Sequence, residues 1–135
     1  RSIAITDIRA PIFTVATEQD HVAPWRSVYK INLLADADEV TFLLTSGGHN
    51  AGIVSEPGHH RRSFQMATRN DQDRYIDPDT WQATIPKQEG SWWPAWEAWL
   101  TKHSAAHQVS PPPMGMPEKG LYPICEAPGT YVLQK

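Results

Sequence analysis

The chain has 135 residues, 40% of them hydrophobic and 20% charged, with a net charge of −3 and one cysteine. That is enough for one modest domain of ordinary globular composition. It holds no dense Lys/Arg stripe to attract nucleic acid, no run of roughly 18 to 20 apolar residues to span a membrane, and no second cysteine for an internal disulfide, which suits a reducing cytoplasm.

The start, "RSIAITDIRAP", has neither an initiator Met nor a signal-peptide pattern, and reads as the interior or C-terminal part of something longer. After a lead-in over residues 3–8, "PIFTVATEQD" places Ile12, Phe13, Val15 and Ala16 in a nearly continuous apolar run. This predicts a strand buried on both faces, ended by polar residues 17–20. In "HVAPWRSVYKINLLADADE", Pro24 suits a helix start. Trp25, Val28, Ile31 or Asn32, and Ala35 recur at helical spacing, with Leu34 widening the apolar stripe. "VTFLLT" is a second compact strand. Residues 1–56 thus predict strand, helix, strand with the two strands parallel, the grammar of an α/β fold.

Residues 57–90 have scattered aromatics and no sustained period, and are expected to be mostly loop with one short helix. "SWWPAWEAWL" predicts a helix over 91–103, with Ser91 as N-cap and Pro94 in the first turn. Trp92, Trp96 and Trp99 fall at i, i+4 and i+7, a stripe that more often packs a core than lines a channel. Residues 104–135 form a proline-rich, extended tail, with Tyr131, Val132 and Leu133 expected as a short edge strand. The whole, 1–135, reads as a single partial domain.

In "LLTSGGHNAGIV", two glycines precede His49 directly after the second strand. In a parallel sheet, functional groups gather beyond the carboxyl ends of the strands. Asp20 lies past the first strand and His49 past the second, one crossover of 29 residues apart. A carboxylate there can accept the Nδ1–H of the imidazole and leave Nε2 free as a base. Asp20 could also cap the following helix. Asp36 and Asp38 lie at the wrong end of the crossover, and His21 on an extended segment points away from its neighbour Asp20. Arg61 and Arg62 in "HHRRS" could contact phosphate, although a solvated loop is the commoner role of such a cluster. His59 and His60 are adjacent and lack a further ligand at useful spacing, so no metal is expected. Cys125, in "YPICEAPG", is expected to be a semi-buried structural thiol.

The segments "IRAPIFTVATEQDHVAPW" and "GGHNAGI" resemble the acid and histidine segments of α/β-hydrolases. The blocks "GSWWPAWEAWL" and "APGTYV" narrow the match. Over nearly its whole length and in the same order, the chain is similar to the C-terminal part of polyhydroxyalkanoate synthases, which polymerise 3-hydroxyacyl-CoA. The resemblance implies the C-terminal part of an α/β-hydrolase fold and a Cys–His–Asp triad with His49 as general base and Asp20 as acid. Its nucleophilic Cys would sit in an upstream G-x-C-x-G elbow, and no such elbow occurs in these 135 residues, so the chain alone is expected to be inactive. Trp25, Gly48, Asn50 and His21 would stand beside the site or line the substrate, and Arg61 and Arg62 would meet CoA phosphates. The partners implied are 3-hydroxyacyl-CoA and the growing polyester, with no cofactor. A homo-oligomer is expected, in the cytoplasm or at the surface of polyester granules. The chain departs from the family pattern at Asn50 and at Ser55-Glu56-Pro57, where Asn-Pro-Pro is usual. The rival readings are another α/β-hydrolase, such as an esterase, and a non-catalytic module that binds granules or a partner.

Overall fold

The computed structural model describes residues 4–135, which fall into two compact units, Arg1–Ser104 and Ala105–Lys135. The lead-in expected over 3–8 begins at residue 3, outside the described residues; a 3-10 turn occupies Ile5–Asp7.

The first unit is built on a mixed sheet of four strands in sequence order: β1 (Ile12–Thr17), β2 (Glu39–Thr45), β3 (Ser63–Asn70) and β4 (Gln88–Glu89). β1 and β2 are parallel, in register from Ile12 opposite Val40 to Thr17 opposite Thr45. β3 and β4 each run antiparallel to their neighbour. The apolar run of β2 is continuous because both faces of the strand are covered: Val40, Phe42, Leu43 and Leu44 are at most 1% exposed. On one face Phe42, Leu44 and Ala16 pack with Trp25, Tyr29 and Trp81. These side chains come from α1 (Trp25–Val28), from the residue that caps it, and from α3 (Pro78–Thr84), which follows α2 (Ile31–Leu34) and β3. The rings of Tyr29 and Trp81 meet Phe42 edge-on, at 4.8 and 5.1 Å between centroids, the arrangement that aromatic quadrupoles favour. On the other face Leu43 and Phe64 receive Trp92, at the start of α4 (Trp93–Lys102). Each fully buried side chain of this size contributes about 1.5–3 kcal/mol.

Several expectations are corrected. The helix after Pro24 is two short pieces. The Tyr29 carbonyl accepts from both the backbone N–H and the Nδ2 amide of Asn32, at 3.0 and 3.1 Å, and the Leu33 N–H turns to Lys30. Its side chains still keep helical spacing toward the sheet at Trp25, Asn32 and Ala35, but Leu34 is 47% exposed and does not widen the stripe. Residues 57–90 are not mostly loop: they hold β3, α3 and β4. The pattern of β3 is hard to read because polar side chains share its buried part. Gln65 is 5% exposed and donates to the Gln82 and Ile85 carbonyls, closing the end of α3.

In the second unit the Met116 N–H donates to the Leu121 carbonyl at 2.7 Å, closing a hairpin around the 3-10 turn Pro117–Lys119. Tyr131–Leu133 is a 3-10 turn rather than a strand. Cys125 is exposed rather than semi-buried. So short a unit cannot enclose a core of its own.

Candidate functional site

The parallel pairing of β1 and β2 continues past the strand ends. The Glu18 N–H donates to the Thr45 carbonyl at 2.9 Å, and the Gln19 N–H to the Gly47 carbonyl at 3.0 Å. Two post-strand segments are thus lashed together, one delivering Asp20 and the other His49. The His49 Nδ1–H donates to Asp20 Oδ2 at 2.8 Å; the carboxylate can only accept, so Nδ1 carries the proton. Asp20 Oδ1 accepts the N–H groups of Val22 and Ala23 at 2.8 and 2.9 Å. One oxygen therefore fixes the local turn and the other fixes the imidazole. These bonds, the Ala23 N–H first and His49 next, pull the Asp20 carboxyl down to about 2, so it stays ionised. The Asp20 side chain is 9% exposed and that of His49 is 49% exposed. The ring is presented to solvent while its partner is sheltered, and Nε2 has no partner among the described residues. Such a pair can take a proton at Nε2 and stabilise the resulting imidazolium.

The glycine pair before His49 divides its work. Gly47 has φ +101°, and a Cβ there would lie 3.0 Å from the Gly52 backbone nitrogen; a Cβ on Gly48 would meet only the Gln19 carbonyl, at 3.8 Å. The most crowded glycine of this loop lies beyond the histidine. A Cβ on Gly52 would come within 2.5 Å of Thr17 Cγ2 and 2.9 Å of the Ser46 carbonyl. The loop that carries His49 thus folds back against the end of β1, with the Gly52 N–H donating to the Gly48 carbonyl at 2.9 Å.

Three consecutive residues before and at the start of α4 grip this loop. Ser91 Oγ donates to the Ser55 carbonyl, Trp92 Nε1–H to the Gly52 carbonyl at 3.0 Å, and Trp93 Nε1–H to the Ile53 carbonyl at 2.9 Å. Ser91 Oγ also accepts the Trp93 N–H at 3.1 Å, although the N-cap position of α4 falls on Trp92 rather than on Ser91 as expected. Sequence reasoning treated the tryptophans as a packing stripe and missed this hold on the histidine loop. The available signals were the indole N–H groups beside a serine and the third glycine in "GGHNAG".

The remaining candidates lie as follows. His21 is exposed, and Asn50 is exposed with its carbonyl closing the turn onto Ile53 and Val54. Trp25 is 5% exposed and belongs to the core, so it does not line an open surface. Arg61 and Arg62 separate. Arg61 is exposed at φ 59°, whereas a terminal nitrogen of Arg62 lies 3.1 Å from the Cβ position of Gly47, and Arg62 Nε is buried without a partner. His59 pairs with Glu56 at 3.0 Å, and no cluster of three or more His, Cys, Asp or Glu ligands forms among the described residues. No helix there is long and apolar enough to cross a membrane.

No protein-family model matches the chain. Known proteins do. The chain is 33% identical over 135 residues, all of it, to a poly(3-hydroxyalkanoate) polymerase subunit PhaC from Rhizobium etli, covering 20% of that protein. It is 33% identical over 134 residues to poly(3-hydroxyalkanoate) polymerase 2 from Ectopseudomonas oleovorans, and 31% identical over 134 residues to the PhaC subunit of Cupriavidus necator; each match takes in 98% of this chain. It covers 22% and 21% of those two proteins, so the chain spans about a fifth of the length of the curated relatives it matches. In sequence, then, the chain corresponds from end to end to a C-terminal part of the poly(3-hydroxyalkanoate) polymerases.

Proposed function

We propose that this chain supplies the acid and base of an α/β-hydrolase-type acyltransferase that polymerises 3-hydroxyacyl-CoA. The single observation that carries the reading is the 2.8 Å contact between Asp20 and His49 at the carboxyl ends of two parallel strands. In the intact polymerase a cysteine thiol from outside these 135 residues would give its proton to His49 Nε2. The thiolate would then attack the thioester carbonyl, and CoA would leave with that proton as its thiol. His49 would next take the proton of an incoming 3-hydroxyl, whose oxygen attacks the acyl-cysteine; the C–S bond breaks, the proton passes from His49 to the departing thiolate, and the polyester is extended by one ester bond. Asp20 holds the Nδ1–H tautomer throughout and offsets the imidazolium charge. Gly48 and Asn50 flank the base, and His21 adjoins the acid. Arg61, exposed, is better placed than Arg62 to meet CoA phosphate. The site is expected to act in the cytoplasm at the granule surface, where the exposed Trp96 and Leu100 suit an apolar polyester.

The test is release of CoA thiol from 3-hydroxybutyryl-CoA by the intact polymerase bearing this segment. His49→Gln and Asp20→Asn should each lower kcat, Asp20→Asn by about 10⁴-fold if the orienting acid matters as it does in serine proteases. The 135-residue chain alone should release none. Undiminished turnover in Asp20→Asn and His49→Gln, or turnover by the isolated chain, refutes the assignment.

A further inference from the structure

On the sheet face away from Trp92 the chain encloses an open pocket of 350 Å³ that the acid–histidine site does not use. The volume falls within the roughly 300–1,000 Å³ typical of small-molecule sites. Its floor is aromatic and apolar: Phe42, Trp81 and Tyr29 are at most 4% exposed, and Ile85 adjoins them. The Tyr29 hydroxyl does not face a ligand as a free donor. It donates to the Ile76 carbonyl at 2.8 Å, and burial first of all pushes its pKa up to about 12.

The rim is cationic. Arg69 and Arg74 both line the pocket. Neither pairs with a carboxylate within 4.0 Å among the described residues. Arg69 reaches the Ala35 and Asn70 carbonyls only at 3.3 Å each, and its Nε–H is buried with no acceptor. A guanidinium beside an apolar cavity with an unspent donor is costly unless an acceptor arrives. One carboxylate, Asp73, also lines the pocket, but its Oδ2 already accepts the backbone and side-chain N–H groups of Asn70, at 2.8 and 3.2 Å. The rim therefore offers two cations against one engaged anion.

From this juxtaposition we infer that the pocket binds a small flat aromatic or alicyclic anion. Its ring enters over Tyr75, Ile76 and Ile85 toward the edge of Trp81, and its carboxylate or phosphate is held by Arg69 and Arg74. Guanidinium groups read planar oxyanions through paired N–H donors, which an ammonium cannot match.

The probes are 1-naphthoate and its neutral isostere 1-naphthamide, titrated into the 135-residue chain while the indole N–H resonances are followed by NMR. The Trp81 resonance should shift on adding naphthoate and the Trp96 resonance should not, since Trp96 lies outside the pocket. The amide should bind about tenfold more weakly or worse, the scale of one lost charge-assisted hydrogen bond. Arg74→Gln, at an exposed position, should erase most of that preference without disturbing the fold, and Arg69→Gln should erase the rest. Equal affinity for anion and amide, a shift at Trp96 rather than Trp81, no binding of either probe at millimolar concentration, or a preference that survives Arg74→Gln overturns the inference.

Discussion

Asp20 holds two turn N–H groups with one oxygen and the imidazole with the other, and that arrangement sets a pH signature. Its folded pKa of about 2 lies below the value of 3.8 expected of an unfolded aspartate. A depressed acid contributes stability that is complete above the unfolded pKa and disappears as pH falls through the folded one. The stability difference between the wild-type chain and Asp20→Asn should therefore shrink as pH falls from about 4 to about 2. Urea titrations at several pH values measure it, and a difference that stays constant down to pH 2 contradicts the assignment. At the same scale, the three glycines around His49 should respond unequally. Gly52→Ala meets Thr17 and the Ser46 carbonyl and should cost about 1–3 kcal/mol, the range for overpacking. Gly48→Ala has room and should change stability by less than about 0.5 kcal/mol. Thermal melts of the two variants decide this, and equal losses would mean that the loop can shift at no cost.

At the scale of elements, what was legible and what was not follows from burial. The β1–β2 pair announced itself because both faces are covered and the runs are apolar. The meeting of Asp20 with His49 announced itself because parallel strands end on the same edge. β3 stayed hidden because its polar Ser63 and Gln65 are buried along with Phe64, the Gln65 amide donating to the distant Gln82 and Ile85 carbonyls, so the short polar–apolar alternation of residues 63–66 does not mark one buried and one solvent face. The break between α1 and α2 stayed hidden because Asn32 sits at a core spacing and also claims the Tyr29 carbonyl with its own amide. The tryptophans before and within α4 were read as bulk, but three of them also act as donors, Trp92 and Trp93 to the histidine loop and Trp99 to the Glu39 carboxylate. Trp92→Phe keeps most of the ring while deleting the bond to the Gly52 carbonyl. It should cost about 1 kcal/mol as a net hydrogen bond, more if the buried carbonyl finds no water. In the intact polymerase it should also lower kcat, because the loop it releases is the one that aims His49 at Asp20. Trp92→Ala, by contrast, empties the core position and should cost about 3–5 kcal/mol. A Trp92→Phe variant with the stability and turnover of the parent shows that the indole bond does not position the loop.

At the scale of the whole molecule, the two edges of the sheet differ in kind. β4 is two residues long, polar, and preceded by Lys87, which pairs with Glu18; short, charged edges of this sort resist pairing with other chains. β1 is six residues, "IFTVAT", without a charge or proline inside it, and among the described residues it pairs only with β2. Its outer backbone groups form a ready template for another strand. The apolar side chains left exposed elsewhere in the same unit, including Val54 at 58% and Trp96 at 42%, add to the drive. The isolated chain should accordingly self-associate at micromolar concentration through β1, by edge pairing or strand exchange. Light scattering after size exclusion should report a dimer or larger species. Thr14→Lys, which sets a charge in the middle of that edge strand, should shift it toward monomer. A monodisperse monomer of the unaltered chain refutes the idea, and an oligomer indifferent to Thr14→Lys places the contact away from β1.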